Sequence, residues 1–372
     1  MTSSLVGSEM CIRDRSSSNP LIQFLKTNKT LNVDSKQLKL IPANKIDISR
    51  LADANIKHPS RAAIQTISFH KDHPLLITGG YDRSLRIYHI DGKTNNVVTT
   101  LFLKKSPIQS AYFNDNFVFA GGRRRFMYKW DIFNGSIEKI SRLYGHEQTQ
   151  RSFENFKISK DGLFIGLMGN SGWINLLNAK TGQWVKGFKI EGTLIDFDFV
   201  GENKDLQLIA CNVAGEVWEW EVNSEKIISR WKDESGVGIT KIRVGGVNGI
   251  NKNRFVAIGN NVGIVNVYDR LKASSLSNSN DIRKPIGTVE NLVTTISTIE
   301  FSPDGQIMCI ASRDKKDALR LVHLPTCKVY SNWPTSGTPL GKVTAVCFSH
   351  GGEMLCTGNE AGKVRLWRLN HY

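Results

Sequence analysis

The feature that most constrains the fold is a short apolar segment that recurs seven times and closes on an aromatic residue or a substitute for one. The closing positions of successive segments lie 42 to 55 residues apart. A repeat of about 40–45 residues with a Trp-Asp-like strand end is typical of a β-propeller with four-stranded blades. We therefore predict an all-β, seven-bladed β-propeller. The segments are Leu85–Tyr88, Phe126–Trp130, Trp173–Leu177, Val217–Trp220, Ile264–Tyr268, Leu319–His323 and Val364–Trp367.

A second repeat agrees with the first. Three turn sequences lie where the first strand of a blade should meet the second: Ser159–Gly162, Ser302–Gly305 and Ser349–Gly352. In Ser302–Gly305, Pro303 sets φ and Gly305 can take the left-handed conformation that a tight turn requires. The two signals give the same period and phase, so we interpret the segments as WD repeats. In blade one they predict strands at Ile64–Phe69, Leu75–Thr78, Leu85–Tyr88 and Val97–Leu103.

The C-terminal blade lacks a fourth strand of its own, because the chain ends just behind the third. An open ring would leave an unpaired strand edge, which proteins avoid. The segment Lys45–Arg50 alternates like a strand, and we predict that this N-terminal strand pairs with blade seven and closes the ring. Two insertions, Gly245–Asn253 and Ala273–Asp281, interrupt the period of blade five and are predicted to be surface loops.

The region before the first repeat divides into two parts. Residues 1–15 resemble a translated sequencing adapter, so we treat them as a sequence artefact and expect the natural N-terminus to differ. Residues 16–43 are rich in Ser, Asn and Lys, and we expect a flexible N-terminal arm with one short apolar patch at Leu21–Leu25. Residues 44–372 are predicted to form the propeller.

The chain is basic, with 49 Lys and Arg against 34 Asp and Glu and a net charge of +15. Residues 1–150 hold 22 of the basic and 12 of the acidic residues, so most of the excess lies early. Such a balance suits a protein that works beside a polyanion, most often nucleic acid, although solubility alone would also explain it. No apolar run is long enough to span a membrane, and no secretory leader is recognisable.

The six cysteines form no Cys-x-x-Cys pair and have no His at ligand spacing, so no metal site is predicted. Four of them fall in predicted strands and should be small buried side chains in a reducing compartment, namely Cys211, Cys309, Cys347 and Cys356. The segment Gly337–Val343 fails as a phosphate loop, because its spacing is short and Val follows Lys342. No Gly-x-Ser-x-Gly motif exists, and we predict no catalytic residue, no cofactor and no enzyme activity.

Several residues are interpreted as structural. Asp82 should accept hydrogen bonds in the turn before its strand, Asp304 belongs to a tight turn, and the aromatic residues should pack between blades. His146 is expected to join a hydrogen-bond network at the start of blade three. The structural set is Asp82, Tyr88, Trp130, His146, Trp220, Asp304 and Trp367.

Three consecutive arginines, Arg123, Arg124 and Arg125, fall where two strands should meet in a turn. A turn gains nothing from three like charges, whereas guanidinium groups bind phosphates bidentately. We therefore predict that they contact RNA or an acidic partner, with Phe126 and Tyr128 able to stack on bases. The alternative is that one arginine pairs with a nearby acid and the others are solvated.

Several longer stretches resemble one eukaryotic family of WD-repeat proteins, the small nucleolar RNA-associated proteins of the UtpB subcomplex of the small-subunit processome. The resemblance runs from about residue 42 to the C-terminus and is closest to fungal members. The stretches that carry it are His58–Gln65, Thr78–Lys93, Ser141–Glu147, Thr149–Lys157, Asp317–Pro325 and, most distinctive, Asn332–Val343.

The resemblance implies a nucleolar, non-catalytic scaffold in pre-rRNA processing and small ribosomal subunit biogenesis. Its implied partners are other UtpB subunits and the particle of pre-ribosomal RNA and small nucleolar RNA, with no membrane. The family's helicase-recruiting N-terminal motif is not present in this chain. A generic WD-repeat adaptor, such as a ubiquitin-ligase substrate receptor, is the alternative, but those receptors carry Trp-Asp-x-Arg where this chain has Trp130–Phe133.

Overall fold

The structure is a computed structural model that describes residues 40–141, 143, 145–249, 251–273 and 282–372. Seven sheets follow one another along the chain, and in each the first four strands are antiparallel; their order from the inside outward is the order of the sequence, except that β1, Ile48–Arg50, is the outer strand of the last sheet. The innermost strands of successive sheets contact one another, and those of the last and first sheets also meet, so the sheets close into a ring. The predicted seven-bladed β-propeller is confirmed.

The first three blades follow the predicted strand order. Blade one contains β2 to β5, blade two β6 to β9 and blade three β10 to β13; β1 belongs to blade seven. Their bounds are β1 Ile48–Arg50, β2 Ile64–Phe69, β3 Leu75–Gly80, β4 Ser84–His89, β5 Val97–Phe102, β6 Ser110–Asn114, β7 Phe117–Gly121, β8 Met127–Asp131, β9 Ile137–Ile140, β10 Phe156–Ile158, β11 Phe164–Met168, β12 Trp173–Asn178 and β13 Trp184–Lys189.

The remaining blades carry the irregular elements. A short 3-10 turn, Asn203–Asp205, joins the first two strands of blade four, and one helical turn, α1 Arg270–Ala273, follows the third strand of blade five. The strand bounds are β14 Leu194–Val200, β15 Gln207–Asn212, β16 Glu216–Glu221, β17 Ile227–Asp233, β18 Ile239–Gly245, β19 Phe255–Asn260, β20 Val265–Asp269, β21 Ile282–Arg283, β22 Gly287–Val289, β23 Thr298–Phe301, β24 Ile307–Ala311, β25 Leu319–His323, β26 Lys328–Val329, β27 Val343–Phe348, β28 Met354–Asn359 and β29 Val364–Leu369.

The hydrophobic core is distributed between the blades. Seven clusters of buried side chains are present among the described residues, and each joins two neighbouring blades. Between blades one and two, for example, Leu75 and Ile77 of β3 pack with Val118 of β7 and Trp130 of β8. A blade buries both faces of its middle strands in this way, which explains the continuous apolar runs at the repeats.

The ring is closed by the N-terminal strand, as predicted. Strand β1 pairs antiparallel with β29, with Ile48 opposite Leu369 and Arg50 opposite Trp367. Just before it, Ile46 is 1% exposed, and its backbone exchanges hydrogen bonds of 3.1 and 2.6 Å with the side-chain amide of Asn332. Because this segment completes a blade that begins at residue 343, it joins the two ends of the described chain.

Packing begins earlier than the boundary expected at residue 44. Ile41 is buried at 5% exposure and belongs to the cluster between blades six and seven. Its backbone N–H donates to Gln306 (2.9 Å), and its carbonyl accepts a hydrogen bond from the His323 ring (3.0 Å). This part of the expected arm is therefore tied to blade six. The apolar patch Leu21–Leu25 and the segment 1–15 lie outside the described residues.

The first insertion is a surface loop, as predicted, but it is tied to the neighbouring blade. The backbone N–H groups of Val247 and Asn248 donate to the carbonyl of Pro303 at 2.6 and 2.8 Å. Asn251 is only 6% exposed and contacts Gly305 through its side chain. The insertion packs on the Ser302–Gly305 turn of blade six because that turn offers unpaired backbone groups.

The second insertion ends in a strand that the repeat did not indicate. Strand β21 pairs in parallel with β17, with Ile282 beside Lys232, and so adds a fifth strand to blade four. Residues 274–281, most of this insertion, lie outside the described part of the chain.

The cysteines match their predicted environment. Cys211, Cys309 and Cys356 are buried and Cys347 is half-buried, and all four are free thiols in strands. In the described ranges, no three acids, histidines or cysteines are grouped to hold a metal, and no helix has the length and apolarity needed to cross a membrane.

Candidate nucleic-acid interface

Antiparallel strands send their connections alternately to the two faces of the ring. The turns between second and third strands, and the links from one blade to the next, lie together on one face. We call this the upper face. The Arg123–Arg125 turn joins β7 to β8 and therefore belongs to it.

The three arginines are all exposed. Arg123 Nε lies 3.2 Å from Glu154 Oε2, and its side chain remains 78% exposed. No ion pair joins Arg124 or Arg125 to an acid within the described ranges. The turn is held by its backbone, because Phe153 N–H donates to Arg124 O at 2.9 Å. This is the arrangement of the alternative interpretation, with one arginine paired and the others solvated, and it leaves two guanidinium groups available for a ligand.

Other basic loops border this turn. Leu103 N–H donates to Arg83 O (2.8 Å), and the Arg83 guanidinium donates to Lys104 O (3.2 Å). The link that carries Lys104 then reaches blade two, where a Cβ on Gly122 would collide with the carbonyl of Pro107. The exposed cations of these turns and links lie on one face of blades one to three. We define the basic surface as Arg83, Lys104, Lys105, Arg123, Arg124, Arg125 and Arg151.

The aromatic residues beside the arginine turn are less available than predicted. Phe126 and Tyr128 pack edge to face with ring centroids 5.3 Å apart. The ammonium of Lys139 lies 4.1 Å from the centre of the Phe126 ring. One ring face is therefore already occupied by a cation. The exposed aromatic residues on this side of the ring are Tyr81 and Phe102, at 43% and 55% exposure.

Phe102 lines a groove of about 610 Å³ on blade one. One wall is the segment Lys57–Arg61, which precedes β2, and the other includes Arg86, Thr100 and Phe102 of β4 and β5. Nothing in the local sequence marks this groove, because its walls come from segments 25 to 45 residues apart. It is a site that the sequence interpretation missed.

The other half of the upper face has a different character. Its loops in blades four and five and at their borders, 190–193, 213–215, 234–238, 261–264 and 290–295, contain no Lys or Arg. They expose four valines, which we call the valine surface: Val213 at 48%, Val237 at 75%, Val262 at 62% and Val293 at 74%. Cationic and apolar side chains are thus separated on one face.

Asp82, predicted to be structural, ties together the first blade. Its carboxylate accepts hydrogen bonds from Ser60 Oγ (2.8 Å) and Ser84 N–H (3.1 Å) and pairs with Arg86 at 2.6 Å. Tyr88, 1% exposed, packs between blades one and seven, and burial raises the pKa of its phenol to about 12. Both side chains serve the packing of the blade.

Asp304 occupies a tight turn, as expected. It accepts hydrogen bonds from Ser302 Oγ (2.6 Å) and Gln306 N–H (3.1 Å). It also accepts one from the hydroxyl of Tyr372 (2.8 Å), so the last residue is fastened to blade six. Trp130, Trp220 and Trp367 are at most 8% exposed and lie in clusters between blades.

His146 was expected in a hydrogen-bond network, but its ring makes a stacking contact. The ring lies 3.8 Å from that of Trp184, with 16° between their planes. The backbone carbonyl of His146 accepts a hydrogen bond from Thr149 Oγ1 at 2.9 Å. Trp184 in turn donates to Asn175 (3.2 Å), so the network runs through the indole and the backbone.

A partly buried ion-pair network lines the central channel. Arg243 of β18 pairs with Glu300 of β23 at 2.6 Å and with Asp198 of β14 at 3.4 Å. Lys157 of β10 pairs with Asp196 at 3.1 Å. Burial raises the pKa of the Glu300 carboxyl, against the attraction of Arg243. The signal in the sequence was alternation of charged and apolar residues in the inner strands, as in Leu194–Val200.

The fold and the repeats define a WD-repeat β-propeller. The family model for the WD domain, G-beta repeat, matches residues 54–89 and 334–368. Beyond this class, the chain belongs to the family of U3 small nucleolar RNA-associated protein 18, as its similarity to members from yeasts and a plant establishes.

The yeast members are the proteins named U3 small nucleolar RNA-associated protein 18 of Saccharomyces cerevisiae, 51% identical over 95% of this chain, and its probable counterpart in Schizosaccharomyces pombe, 45% identical over 90%. The Arabidopsis thaliana homologue is 35% identical over 100%. The chain spans 66%, 62% and 65% of the lengths of these three relatives. The family resemblance in the sequence is thereby confirmed.

Proposed function

We propose that this chain is a non-catalytic scaffold subunit of the small-subunit processome that acts in nucleolar pre-rRNA processing. In this role it binds other subunits of the UtpB subcomplex and the particle that contains pre-ribosomal RNA and small nucleolar RNA. The names of the related yeast proteins, which associate those proteins with U3 small nucleolar RNA, support the proposal. The propeller supports it as well, because this architecture serves mainly to present binding surfaces.

The basic surface is the observation that carries the RNA contact. Seven exposed cations from blades one to three meet on one face, whereas the valine surface on the same face has none in its loops. Phosphate contacts supply most of the affinity of a protein for nucleic acid and make it fall with salt. The same surface would also attract an acidic protein, so the experiment must separate the two.

The test of the function is purification of the tagged chain from its own cells at moderate salt, followed by sequencing of the bound RNA. We expect enrichment of unprocessed ribosomal transcript and U3 small nucleolar RNA. Recovery of other proteins without that RNA would replace the proposal with a generic WD-repeat adaptor.

The arginine turn has its own prediction. Replacing Arg123, Arg124 and Arg125 together by Ser should lower RNA affinity and flatten the slope of log K against log salt by about 1 to 2, since two arginines are free and each phosphate contact contributes about 0.7–0.9 to the slope. Filter binding between 50 and 200 mM salt measures this.

The control removes equal charge from the opposite face, by replacing Lys180, Lys226 and Lys328, all exposed, with Ser. We expect this variant to lose less affinity and to keep the slope near that of the wild type. Equal losses in the two variants would show that only net charge matters and would remove the arginine turn as a contact.

A further inference from the structure

The groove on blade one combines an exposed aromatic ring with unpaired cations. Phe102 is the last residue of β5, and its side chain faces the segment Lys57–Arg61 across the groove. The residue is 55% exposed. An exposed aromatic ring beside cations can stack on a base while the cations contact phosphates.

The charges around the groove are not equivalent. Arg86 is neutralised by Asp82, 2.6 Å away. Lys57 and Arg61 are exposed, and neither has an ion pair within the described ranges; Lys57 Nζ donates only to the amide oxygen of Asn96 at 2.8 Å. The wall opposite Phe102 is therefore positive.

The groove opens onto the basic surface. Phe102 is followed by Leu103 and Lys104, and the carbonyl groups and N–H groups of this link are bonded to Arg83 on the adjoining turn. A strand that leaves the groove past Phe102 therefore meets Arg83 and Lys104 next, and then the arginine turn of blade two. This order of contacts describes a path across two blades.

We propose that the groove binds single-stranded RNA, with an unpaired base stacked on Phe102 and phosphates further along the groove held by Arg61 and Lys57. The strand then continues over the basic surface. Aromatic stacking combined with a cationic track is the chemistry by which proteins hold unpaired nucleic acid, and a base inside a duplex cannot offer its face. This inference rests on the proposed RNA contact and narrows it to unpaired RNA.

The experiment uses the full chain, a 12-nucleotide oligouridine and a 12-base-pair RNA duplex. Phe102→Ala should weaken binding of the oligouridine about 5- to 100-fold, because stacking is lost, and leave duplex binding unchanged. Phe102→Trp should bind the oligouridine about as well as the wild type does, since the larger ring also stacks. Lys57→Ala with Arg61→Ala should lower the salt slope by about 1 to 2.

Val237→Ala on the valine surface is the matched control, since it trims an exposed apolar residue on the same face. It should leave both affinities unchanged. Phe102→Ala and Phe102→Trp should melt within ~2 °C of the wild type because the ring is exposed, and a variant that melts lower is replaced in the comparison by Lys57→Ala with Arg61→Ala.

Four outcomes separate the proposals. Loss with Phe102→Ala and recovery with Phe102→Trp supports the groove. If the triple arginine variant weakens binding and Phe102→Ala does not, the groove proposal fails and the RNA contact stands. If neither the triple arginine variant nor Phe102→Ala weakens binding, the groove proposal and the proposed RNA contact both fail. The fourth outcome uses a 12-residue oligoglutamate. If this peptide displaces the oligouridine, and if Phe102→Ala weakens the binding of peptide and oligouridine equally, the groove is a site for acidic protein.

Discussion

At the scale of single residues, position in the ring decides which charges are structural and which are free. Asp82 and the arginine turn both lie between second and third strands. The Asp82 carboxylate is enclosed by Ser60, Ser84 and Arg86, whereas Arg124 and Arg125 extend into solvent. The same kind of turn therefore holds a blade together in one repeat and presents charge in the next.

Removal of the Asp82 carboxylate should destabilise the fold. In Asp82→Ala, the Arg86 guanidinium, with a side chain only 14% exposed, loses its partner, and Ser60 and Ser84 lose an acceptor. We expect the free energy of unfolding in urea to fall by about 2–4 kcal/mol. Asp72→Ala, in an exposed turn of the same blade where the carboxylate makes no hydrogen bond among the described residues, is the control and should cost clearly less. Equal losses would contradict the assignment.

The sequence allowed the arginine cluster to be singled out, because three like charges in a tight turn have no structural use. It could not reveal that Phe102 and Arg83 lie on the same face of the ring. Those residues come from blade one and meet blade two only through the ring, and no local pattern encodes a contact between loops of different repeats. The ring of His146 shows the same limit, since its stacking on Trp184 depends on how blade three is packed.

At the scale of elements, the short strand β1 closes the ring. It is three residues long, yet it completes blade seven and follows the buried Ile46. The strand and its partner were predictable because the repeat left one blade a strand short. The fifth strand of blade four was not, since β21 pairs outside the repeat pattern and has only two residues.

Deletion of residues 44–51 should abolish cooperative melting of the ring. It removes β1 with its pairing to β29, and it empties the site of Ile46 while leaving Asn332 without its backbone partners. Differential scanning calorimetry should show a broad transition at lower temperature. Ile46→Val, which keeps the pairing and most of the volume, should lower the free energy of unfolding by only about 0.5–1.5 kcal/mol. A deletion variant that melts as the wild type does would show that the ring closes without this strand.

At the scale of the whole molecule, the channel network joins blades three to six. Arg243 alone bridges β14 and β23 from its place on β18. Seven separate clusters between blades supply the apolar stabilisation, and the ion pairs link their inner edges. The period predicted the number of blades, but the charges in the channel pair across blades and could not be matched from the sequence.

Arg243→Met should be strongly destabilising, because it leaves Glu300 and Asp198 largely buried without their partner. We expect a loss of about 3 kcal/mol in the free energy of unfolding, measured with denaturant. The double variant Arg243→Met with Glu300→Leu should recover part of this loss, since one of the stranded carboxylates is removed. If the double variant loses more free energy of unfolding than the two single variants lose together, the account is contradicted.

The basic surface and the valine surface leave positive charge unevenly distributed around the upper face of the ring. In the field of a polyanion, an uneven charge distribution experiences a torque that turns the cationic loops forward before any side chain touches. The torque acts over roughly a Debye length, about 10 Å at 0.1 M salt. Added salt should therefore reduce how often an encounter is correctly oriented, in addition to weakening the contacts that follow.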